Sequence, residues 1–491
     1  MARILILVNP ATLNILSTKD YLYSFGLYSE HEVSYLPETP PAWSPGGISD
    51  SLAKSDYQEI FSGFDVIVIS QHLRICFDGW INQNLNAALL DFSGVKVVFL
   101  HDEYDHTEKA RSWIEEQKVN LVYTVVPSEH IGKVYDPRRF IHTEFKSILT
   151  GYMPLKFTVK QNVKPIADRA NLIVYRGRVS PESYGELAKQ KENIGRVMDD
   201  YCNEHELAVD IQWEEAKRIY GLKWYQLLES GVCTLGTESG ANIFDVDGEI
   251  KKYVDSGGKL PGPPSLNFKE ENLGFKMNQV SPKLFEAIGC GTGLILYEGY
   301  YSGVFDADKH YISLKHDHSN LSDVIEKVQN VEFVQKIVDQ TWKDVANNDS
   351  YSFKNFIKSF DIDINSYTPA IKNSKSNSAK SHLLVGDFDD VCSTGIGVYS
   401  ELYLQTSLLK QKVVSIAREF PRLHRTYKFL TLKAPGLHRA FIGLRKIFNF
   451  KYYFSYCMNH IYHIARKIYR FIPNHFPVLG RIKRKLLKSK D

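Results

Sequence analysis

Basic residues able to bind phosphate follow an apolar run in the middle of the chain. Arg176 and Arg178 come directly after the run at 172–175, and Lys191 lies in the helical segment that follows. An arginine guanidinium is a planar fork that matches two phosphate oxygens, and a lysine adds a compact charge. These three residues predict an anion site at the end of a strand. Solvated charges on an ordinary loop are the alternative that the spacing leaves open.

A second anion-binding signal is the helix start at residues 281–289. Ser281 followed by proline is typical of a helix N-terminus, where free N–H groups and partial positive charge attract phosphate, and Lys283 adds a full charge. Glu286 is the only carboxylate in this short apolar helix. It could accept two hydrogen bonds from a ribose diol, so the helix predicts a nucleotide site. An ordinary capped helix with a solvated glutamate is the alternative.

Glycine and small polar residues follow another apolar run, in the stretch "GTESG" at 236–240. Glycine lets the backbone approach a ligand closely, so we expect Glu238 and Ser239 to lie near one. Further along, Asp245 and Asp247 form an acidic pair that could bind a metal ion carrying a diphosphate. Because such acidic turns are common, we predict no metal site.

Acid–base residues collect at the end of the apolar run at 95–100, where His101, Asp102 and Glu103 come next. Side chains at the carboxyl ends of parallel strands face the ligand cleft of an α/β fold. A general base is therefore expected here, and any of the three could take a proton from a hydroxyl group. Ordinary loop polarity is the alternative.

Short apolar runs separated by helical segments must position all these residues. The apolar runs lie at 4–8, 33–36, 66–70, 95–100 and 121–126, and again at 172–175, 207–212, 232–237, 292–297 and 311–314. Runs that are nearly all apolar and β-branched are typical of parallel strands buried on both faces. The predicted fold class is α/β, with two Rossmann-like doubly wound domains facing a cleft and a basic helical C-terminal extension.

The stretch "SPKLFEAIGCGTGLILYEGYYSGVF" at 281–305 resembles the donor-site helix and strand of two-domain, GT-B fold glycosyltransferases. The stretches "YRGR" at 175–178, "YGELAKQK" at 184–191 and "RIYGLKWYQLLESGVCTLGTESGANIFD" at 218–245 resemble bacterial surface-polysaccharide transferases of the same group. The resemblance covers residues 170–330 well, and the first domain by topology alone. It implies sugar transfer from a nucleotide sugar, with Glu286 on the ribose and Arg178 and Lys191 on the diphosphate.

This resemblance gives each part of the chain an expected role. We expect an acceptor domain at 1–165, a nucleotide-sugar domain at 166–368, a linker at 369–381 and a basic amphipathic tail at 382–491. The donor would be a UDP-, GDP- or dTDP-linked sugar, with no obligate cofactor or metal. The acceptor would be a glycan or a lipid-linked glycan in cell-surface polysaccharide synthesis.

Two features of the sequence depart from the pattern of this family. The family has a second glutamate eight residues before the one in the helix, and this chain has Asn278 there. The glycine-rich loop after the first strand is also replaced, by "NPATLN" at 9–14. Two alternatives therefore accompany the transferase: a sugar-nucleotide epimerase on the same fold, and an inactive scaffold that binds nucleotide sugar.

The end of the chain is strongly basic. The net charge is +3, yet residues 401–491 contain 20 Lys and Arg against 3 Asp and Glu. Helical spacing places Phe441, Leu444 and Phe448 near one side of this cationic segment, which favours binding to an anionic membrane surface. Contact with the acidic part of the chain or with another copy, and nucleic-acid binding, are alternatives. We expect no nucleic-acid partner.

The two ends of the chain and its cysteines indicate where in the cell we expect the protein. No run in the tail reaches the roughly 18 apolar residues that a spanning helix needs. The start of the chain is typical of a buried strand rather than a signal peptide, and the six cysteines form no C-x-x-C pair. We expect a cytoplasmic protein that is peripheral at the inner face of the cell membrane.

Overall fold

A computed structural model describes residues 1–38, 40–41, 52–157, 164–260 and 275–367. Within them the chain forms two parallel sheets, one from strands between residues 3 and 147 and one from strands between residues 171 and 314. The predicted linker at 369–381 and the predicted tail at 382–491 lie outside the described residues. No helix in the described part is both long and apolar enough to cross a membrane.

The first sheet has six strands in the order β2-β1-β3-β4-β5-β6, all parallel. The strands are β1 (Arg3–Val8), β2 (Glu32–Pro37), β3 (Val66–Ile69), β4 (Val95–Phe99), β5 (Leu121–Thr124) and β6 (Glu144–Ser147). The helices are α1 (Leu16–Tyr28), α2 (Lys54–Phe61), α3 (Gln83–Asp91), α4 (Thr107–Glu116) and α5 (Ile131–Val134).

Both faces of this sheet are buried because its central strands are apolar at nearly every position. Successive side chains of a strand point to opposite faces. Leu5 and Leu7 therefore join a core with α2, α3 and α4, while Ile4 and Ile6 join a second core on the other face. Helices on both faces of a parallel sheet are the arrangement that such unbroken apolar runs predict.

The second sheet has five parallel strands in the order β13-β12-β9-β7-β8. Its strands are β7 (Asn171–Arg176), β8 (Val209–Gln212), β9 (Gly231–Gly236), β12 (Gly293–Tyr297) and β13 (Ile312–Leu314). Its helices are α6 (Glu186–Glu204), α7 (Leu222–Ser230), α8 (Glu249–Asp255), α9 (Pro282–Gly289), α10 (Leu321–Gln329) and α11 (Val331–Thr341). Two parallel sheets covered by helices confirm the α/β, doubly wound fold class.

A hairpin extends from the second domain towards the first. Strands β10 (Ser239–Ala241) and β11 (Met277–Gln279) pair antiparallel. Phe244, which follows β10, and Met277, in β11, are fully buried and belong to the hydrophobic core of the first sheet. These two residues of the second domain therefore connect it to the first domain beside the ends of their strands.

The last described helix, α12 (Phe353–Ser366), also joins the two domains. It follows the second sheet in the chain, and the sequence placed it in the second domain, but it packs on the first sheet. Phe360 lies in the same core as Phe25, with ring centroids 5.0 Å apart, and the Tyr123 hydroxyl donates to Asp363 at 2.7 Å. The chain thus returns to the first domain after completing the second.

Candidate functional site

The strand orders of the two sheets define where ligands should bind. The order reverses between β1 and β3 in the first sheet, and between β7 and β9 in the second. In open α/β sheets, ligands bind outside the carboxyl ends of the strands at such reversal points. Arg178 and Glu238 follow β7 and β9, and Ser70 and His101 follow β3 and β4. Three of these four residues, Arg178, Glu238 and His101, are site residues that the sequence predicts, and Ser70 is not.

Three cations come together at the edge of the second sheet. Burial lowers the pKa of Lys191 to about 8, and the nearby charges of Lys283 and Arg178 lower it as well. The Lys283 side chain remains accessible to solvent, yet the surrounding protein, and then Arg218, lower its pKa to about 8. No carboxylate among the described residues forms an ion pair with Arg178, Lys191 or Lys283. This cation cluster, Arg178, Lys191 and Lys283, can therefore bind an anion.

The cation cluster predicts that nucleotide diphosphate binding weakens at alkaline pH. Lys191 and Lys283 lose their protons near pH 8, whereas a bound diphosphate favours the charged forms. We expect the affinity for UDP, GDP or dTDP to fall by about tenfold between about pH 7.5 and about pH 9.5. Calorimetric titration across this range checks the prediction, and an affinity that stays constant would contradict it.

Lys283 connects helix α9 to the end of β7. Pro282 occupies the first helical position as predicted, but the Ser281 side chain forms no capping hydrogen bond. The Lys283 ammonium donates to the Arg176 carbonyl oxygen at 2.9 Å and lies 5.4 Å from the centroid of the Trp224 ring. The N-terminus of α9 is thereby held beside the loop that carries Arg178.

Arg176 is engaged within the second sheet. Its guanidinium pairs with the Asp210 carboxylate at 2.8 Å and also donates to the carbonyl oxygens of Asp210 and Tyr175. These contacts join the ends of β7 and β8. Of the two arginines that the sequence singles out, Arg178 is therefore the one whose guanidinium has no protein partner among the described residues.

Glu286 lies at the junction of the two domains and is only 3% exposed. The Trp224 indole N–H donates to its Oε2 atom at 2.7 Å, and the Ser17 backbone N–H lies close enough to its carboxylate to lower its pKa. Ser17 is in the first turn of α1, a helix that has no side-chain cap of its own. Glu286 therefore lies beside the first turn of α1, which belongs to the other domain. In this arrangement a ribose can reach the carboxylate only if the domains separate.

The burial of Glu286 predicts that it destabilises the folded protein at alkaline pH. Burial raises its pKa from the ordinary value of 4.5 to about 7. Below about pH 4.5 the carboxyl group is protonated in the folded and the unfolded protein, so its raised pKa does not change the free energy of unfolding. As the pH rises to about 7, the raised pKa lowers the free energy of unfolding by an increasing amount. Glu286→Gln should therefore raise the free energy of unfolding at about pH 8, by up to about 3 kcal/mol, with little change at about pH 4.5.

Chemical denaturation at both pH values measures this effect. The matched control is Glu326→Gln, which changes an exposed glutamate on α10. The control should leave stability unchanged at both pH values. Equal stability of Glu286→Gln and the unsubstituted protein at alkaline pH would show that the buried carboxylate carries no such cost.

Asn278 stands where the family that the sequence resembles has a glutamate, but the carboxylate of another residue, Glu238, lies beside it. The Asn278 side-chain amide donates to Glu238 Oε2 at 2.7 Å, and Glu238 Oε1 accepts the Tyr301 backbone N–H at 2.8 Å. Next to Glu238, the Ser239 hydroxyl accepts a hydrogen bond from Lys191 at 3.3 Å. Glu238 and Ser239 are thus joined to the cation cluster and to Asn278 in one network.

Asp102 faces the cation cluster from the first domain. It pairs with Arg74 at 3.0 Å and accepts the Tyr104 hydroxyl at 2.9 Å. Burial opposes its charge, but Arg74, the hydrogen bond from Tyr104 and, with a smaller effect, Arg178 hold its pKa below the ordinary value. The influence of Arg178 on Asp102 shows that the edges of the two sheets face each other at this point.

The other two candidate bases lie in different surroundings. Burial lowers the pKa of His101 to about 4, so its imidazole is neutral at pH 7, and its Nε2 atom has no hydrogen-bond partner in the described structure. Glu103 is 1% exposed, accepts the Thr124 hydroxyl, and has its pKa raised by burial to about 7. The structure therefore brings Asp102 and His101 together at the strand end and leaves Glu103 in the interior of the first domain.

Three residues of the site were not expected from the sequence. Trp224 binds Glu286, Arg74 binds Asp102, and the Tyr184 hydroxyl donates to Asp105 across the domain junction at 2.7 Å. Tyr184 lies within a stretch that resembles the transferases, so a signal for it existed. Trp224 also lies within such a stretch, at 218–245, but its spacing is that of an ordinary apolar position of an amphipathic helix, and Arg74 lies in a loop without a motif.

Asp245, the first residue of the acidic pair at 245 and 247, is engaged by backbone groups of helix α8. Both Asp245 carboxylate oxygens accept backbone N–H groups, from Ile250 at 3.1 Å and Lys251 at 2.8 Å. They stabilise the start of helix α8. In the part of the chain that the structure describes, no group of three or more His, Cys, Asp or Glu side chains could hold a metal ion.

Comparisons with known proteins identify similar structures. No family model matches the sequence, and no curated protein matches it significantly. An alpha-glucosyltransferase, in complex with UDP and a 13-mer DNA containing a central A:G mismatch, is 12% identical, with 74% of this chain and 99% of that chain covered and a TM-score of 0.45. Anabaena Alr3699/HepE, in complex with UDP and glucose, is 12% identical, with 74% and 100% covered and a TM-score of 0.41.

A third similar structure is a mutant of S. aureus TarM, in complex with Fondaparinux, alpha-GlcNAc-glycerol and UDP. It is 10% identical, with 60% of this chain and 54% of that chain covered and a TM-score of 0.35.

Proposed function

We propose that the protein is a glycosyltransferase that moves a sugar from a nucleotide diphosphate sugar to an acceptor hydroxyl. The observation that supports this most strongly is the position of the cation cluster opposite Asp102. Arg178 lies within electrostatic range of Lys191 and Lys283 in its own domain and of Asp102 in the other. Cations on one side suit a departing diphosphate, and a carboxylate on the other suits an attacking hydroxyl.

Each step of the transfer has a candidate group. The acceptor oxygen bonds to the anomeric carbon while the bond from that carbon to the diphosphate oxygen breaks. The cation cluster stabilises the charge that develops on the leaving diphosphate. The hydroxyl proton passes to Asp102 or to the leaving diphosphate itself.

The remaining donor contacts follow from the same placement. In our proposal Glu238, held by Asn278, contacts the donor sugar, and Glu286 binds the ribose once the domains separate. Lysine and arginine charges neutralise the diphosphate, so the reaction needs no obligate metal. The donor is a UDP-, GDP- or dTDP-linked sugar.

We further propose a role in cell-surface polysaccharide synthesis at the inner face of the cell membrane. The basic and aromatic composition of residues 401–491 supports this location, because such segments bind anionic lipid surfaces. The acceptor is then a glycan or a lipid-linked glycan. Sedimentation with anionic liposomes tests the location: the full chain should sediment, and a chain ending at residue 381 should stay in solution.

Incubating the purified full chain with a panel of nucleotide sugars, with and without membrane extract, tests the activity. Transfer that depends on the extract supports the glycosyltransferase. Interconversion of the sugar without any acceptor would instead identify an epimerase, and binding without turnover would identify an inactive scaffold. Mass spectrometry of the products distinguishes the three outcomes.

A further inference from the structure

Buried polar groups without partners lie at the reversal point of the first sheet. Asn9 follows β1, and Ser70 and Gln71 follow β3, and their exposed fractions are 0%, 2% and 9%. Asn9 Nδ2, Ser70 Oγ and Gln71 Oε1 have no hydrogen-bond partner in the described structure. The Asn9 side-chain oxygen already accepts the Ala11 N–H at 3.1 Å, so the amide nitrogen is the atom of this side chain that lacks a hydrogen-bond partner in the described structure. An unsatisfied buried polar group costs about 1–3 kcal/mol, so three adjacent ones indicate a ligand.

Two imidazoles extend this set towards solvent. His72 Nε2 lies 3.1 Å from the Thr18 hydroxyl, while its Nδ1 has no partner within the described residues, and neither does His101 Nε2. His72 and His101 each keep part of their surface exposed, whereas their two unpartnered nitrogen atoms are buried. Burial lowers the pKa of His72 to about 3 and that of His101 to about 4. Both rings are therefore neutral at pH 7, when an imidazole carries one donor and one acceptor nitrogen, and in His72 only Nδ1 is left for a ligand because Nε2 contacts Thr18.

The charges at this edge do not suit a phosphate group. The nearby cation, Arg74, is already bound to Asp102 at 3.0 Å and to Asp105 at 3.4 Å. Gln71 Oε1 and an ionised phosphate oxygen are both hydrogen-bond acceptors without a hydrogen to donate, so they cannot bond to each other. A sugar hydroxyl both donates and accepts, so it can satisfy amide, hydroxyl and imidazole groups together.

We propose that Asn9, Ser70, Gln71, His72 and His101 form a subsite for an uncharged carbohydrate acceptor and disfavour phosphate-bearing acceptors. This inference rests on the proposed glycosyltransferase activity. Asp102 follows His101 in the chain, so a hydroxyl of a sugar bound at these groups lies beside the proposed base. The cation cluster, whose members form no ion pair among the described residues, lies at the donor edge, while neutral hydrogen-bonding groups lie at the acceptor edge beside the paired Arg74 and Asp102.

The experiment compares Gln71→Met with the unsubstituted full chain, because methionine keeps the length of the side chain and removes its hydrogen-bonding groups. Transfer from the active nucleotide sugar is measured to methyl glycosides and to the corresponding sugar phosphates. We expect transfer to methyl glycosides, with kcat/KM for the glycoside about tenfold lower in the variant. The Kd for UDP, GDP or dTDP should not change.

Gln117→Met is the matched control. Gln117 is a fully buried glutamine of the same domain whose Oε1 also lacks a partner in the described structure, but it follows the C-terminal end of α4, away from the strand ends. This variant should keep the kcat/KM of the unsubstituted protein. An equal loss in both variants would contradict the subsite, since a general loss of packing would then explain the effect.

The outcomes also separate this inference from the proposed function. Preferred transfer to the sugar phosphates, or an unchanged kcat/KM in Gln71→Met, would overturn the acceptor subsite and leave the glycosyltransferase intact. A protein that binds no nucleotide diphosphate, even at about pH 7.5 where the cation cluster is charged, would overturn both.

Discussion

Replacing Asp102 with asparagine should lower kcat by about a hundredfold or more while the Kd for the nucleotide diphosphate stays the same. Asp102 is the carboxylate at the end of β4 that faces the cation cluster, and Arg74 with Tyr104 keeps it ionised at neutral pH. A positioned general base contributes about 10²–10⁴-fold to a rate. Asparagine keeps the shape and can still accept from Tyr104, but it cannot take a proton. Steady-state kinetics and calorimetry on the same sample measure both quantities.

Glu103→Gln is the natural control for this substitution. Glu103 is the neighbouring carboxylate, and it accepts the Thr124 hydroxyl in the interior of the first domain. Its replacement should leave kcat within about twofold, because the buried group has no route to the acceptor. If Glu103→Gln lost more activity than Asp102→Asn, the assignment of the base would be wrong.

Replacing Arg178 with alanine should weaken nucleotide diphosphate binding by about tenfold to a hundredfold. Hydrogen bonds to charged groups contribute about 1.5–3 kcal/mol each, which corresponds to that range of affinity. Arg178 is exposed and has no protein partner among the described residues, so its loss should not change the thermal stability of the protein without ligand. Calorimetric titration with UDP, GDP and dTDP measures the affinity.

Arg196→Ala provides the comparison for Arg178. Arg196 is an exposed arginine of the same domain on helix α6, and it donates to Asn193 at 2.9 Å. Its removal should leave nucleotide affinity unchanged. A similar loss of affinity in both variants would indicate binding through the overall charge of the domain rather than through the cation cluster.

Most of the fold could be predicted because its strands are buried on both faces. Runs such as 66–70 and 232–237 are mostly apolar, and they form β3 and β9 nearly as predicted. Strand β6 was not predicted because it lies at the edge of its sheet with polar side chains such as Glu144 and Lys146. An edge strand needs no apolar run, so local composition does not reveal it.

The candidate site was less accessible to prediction because its contacts join distant parts of the chain. The sequence identified Glu286, but not that Trp224 donates a hydrogen bond to it or that the start of α1 lies beside it. It also identified the missing carboxylate at Asn278, but not that Glu238 supplies one through the hairpin of β10 and β11. Contacts of this kind depend on tertiary structure, and single-residue patterns do not contain them.

The crossing of α12 makes the second domain an insertion within the first. Phe353, Phe356 and Phe360 cover an aromatic surface of the first sheet around Phe25 and Phe99. A fragment that ends before the second sheet would leave this surface open to water and prone to aggregation. The second domain, in contrast, begins and ends outside that surface. An exchange of the second domain between related proteins would have to keep with the first domain not only the returning helix but also Phe244 and Met277, because both are buried in the core of the first sheet.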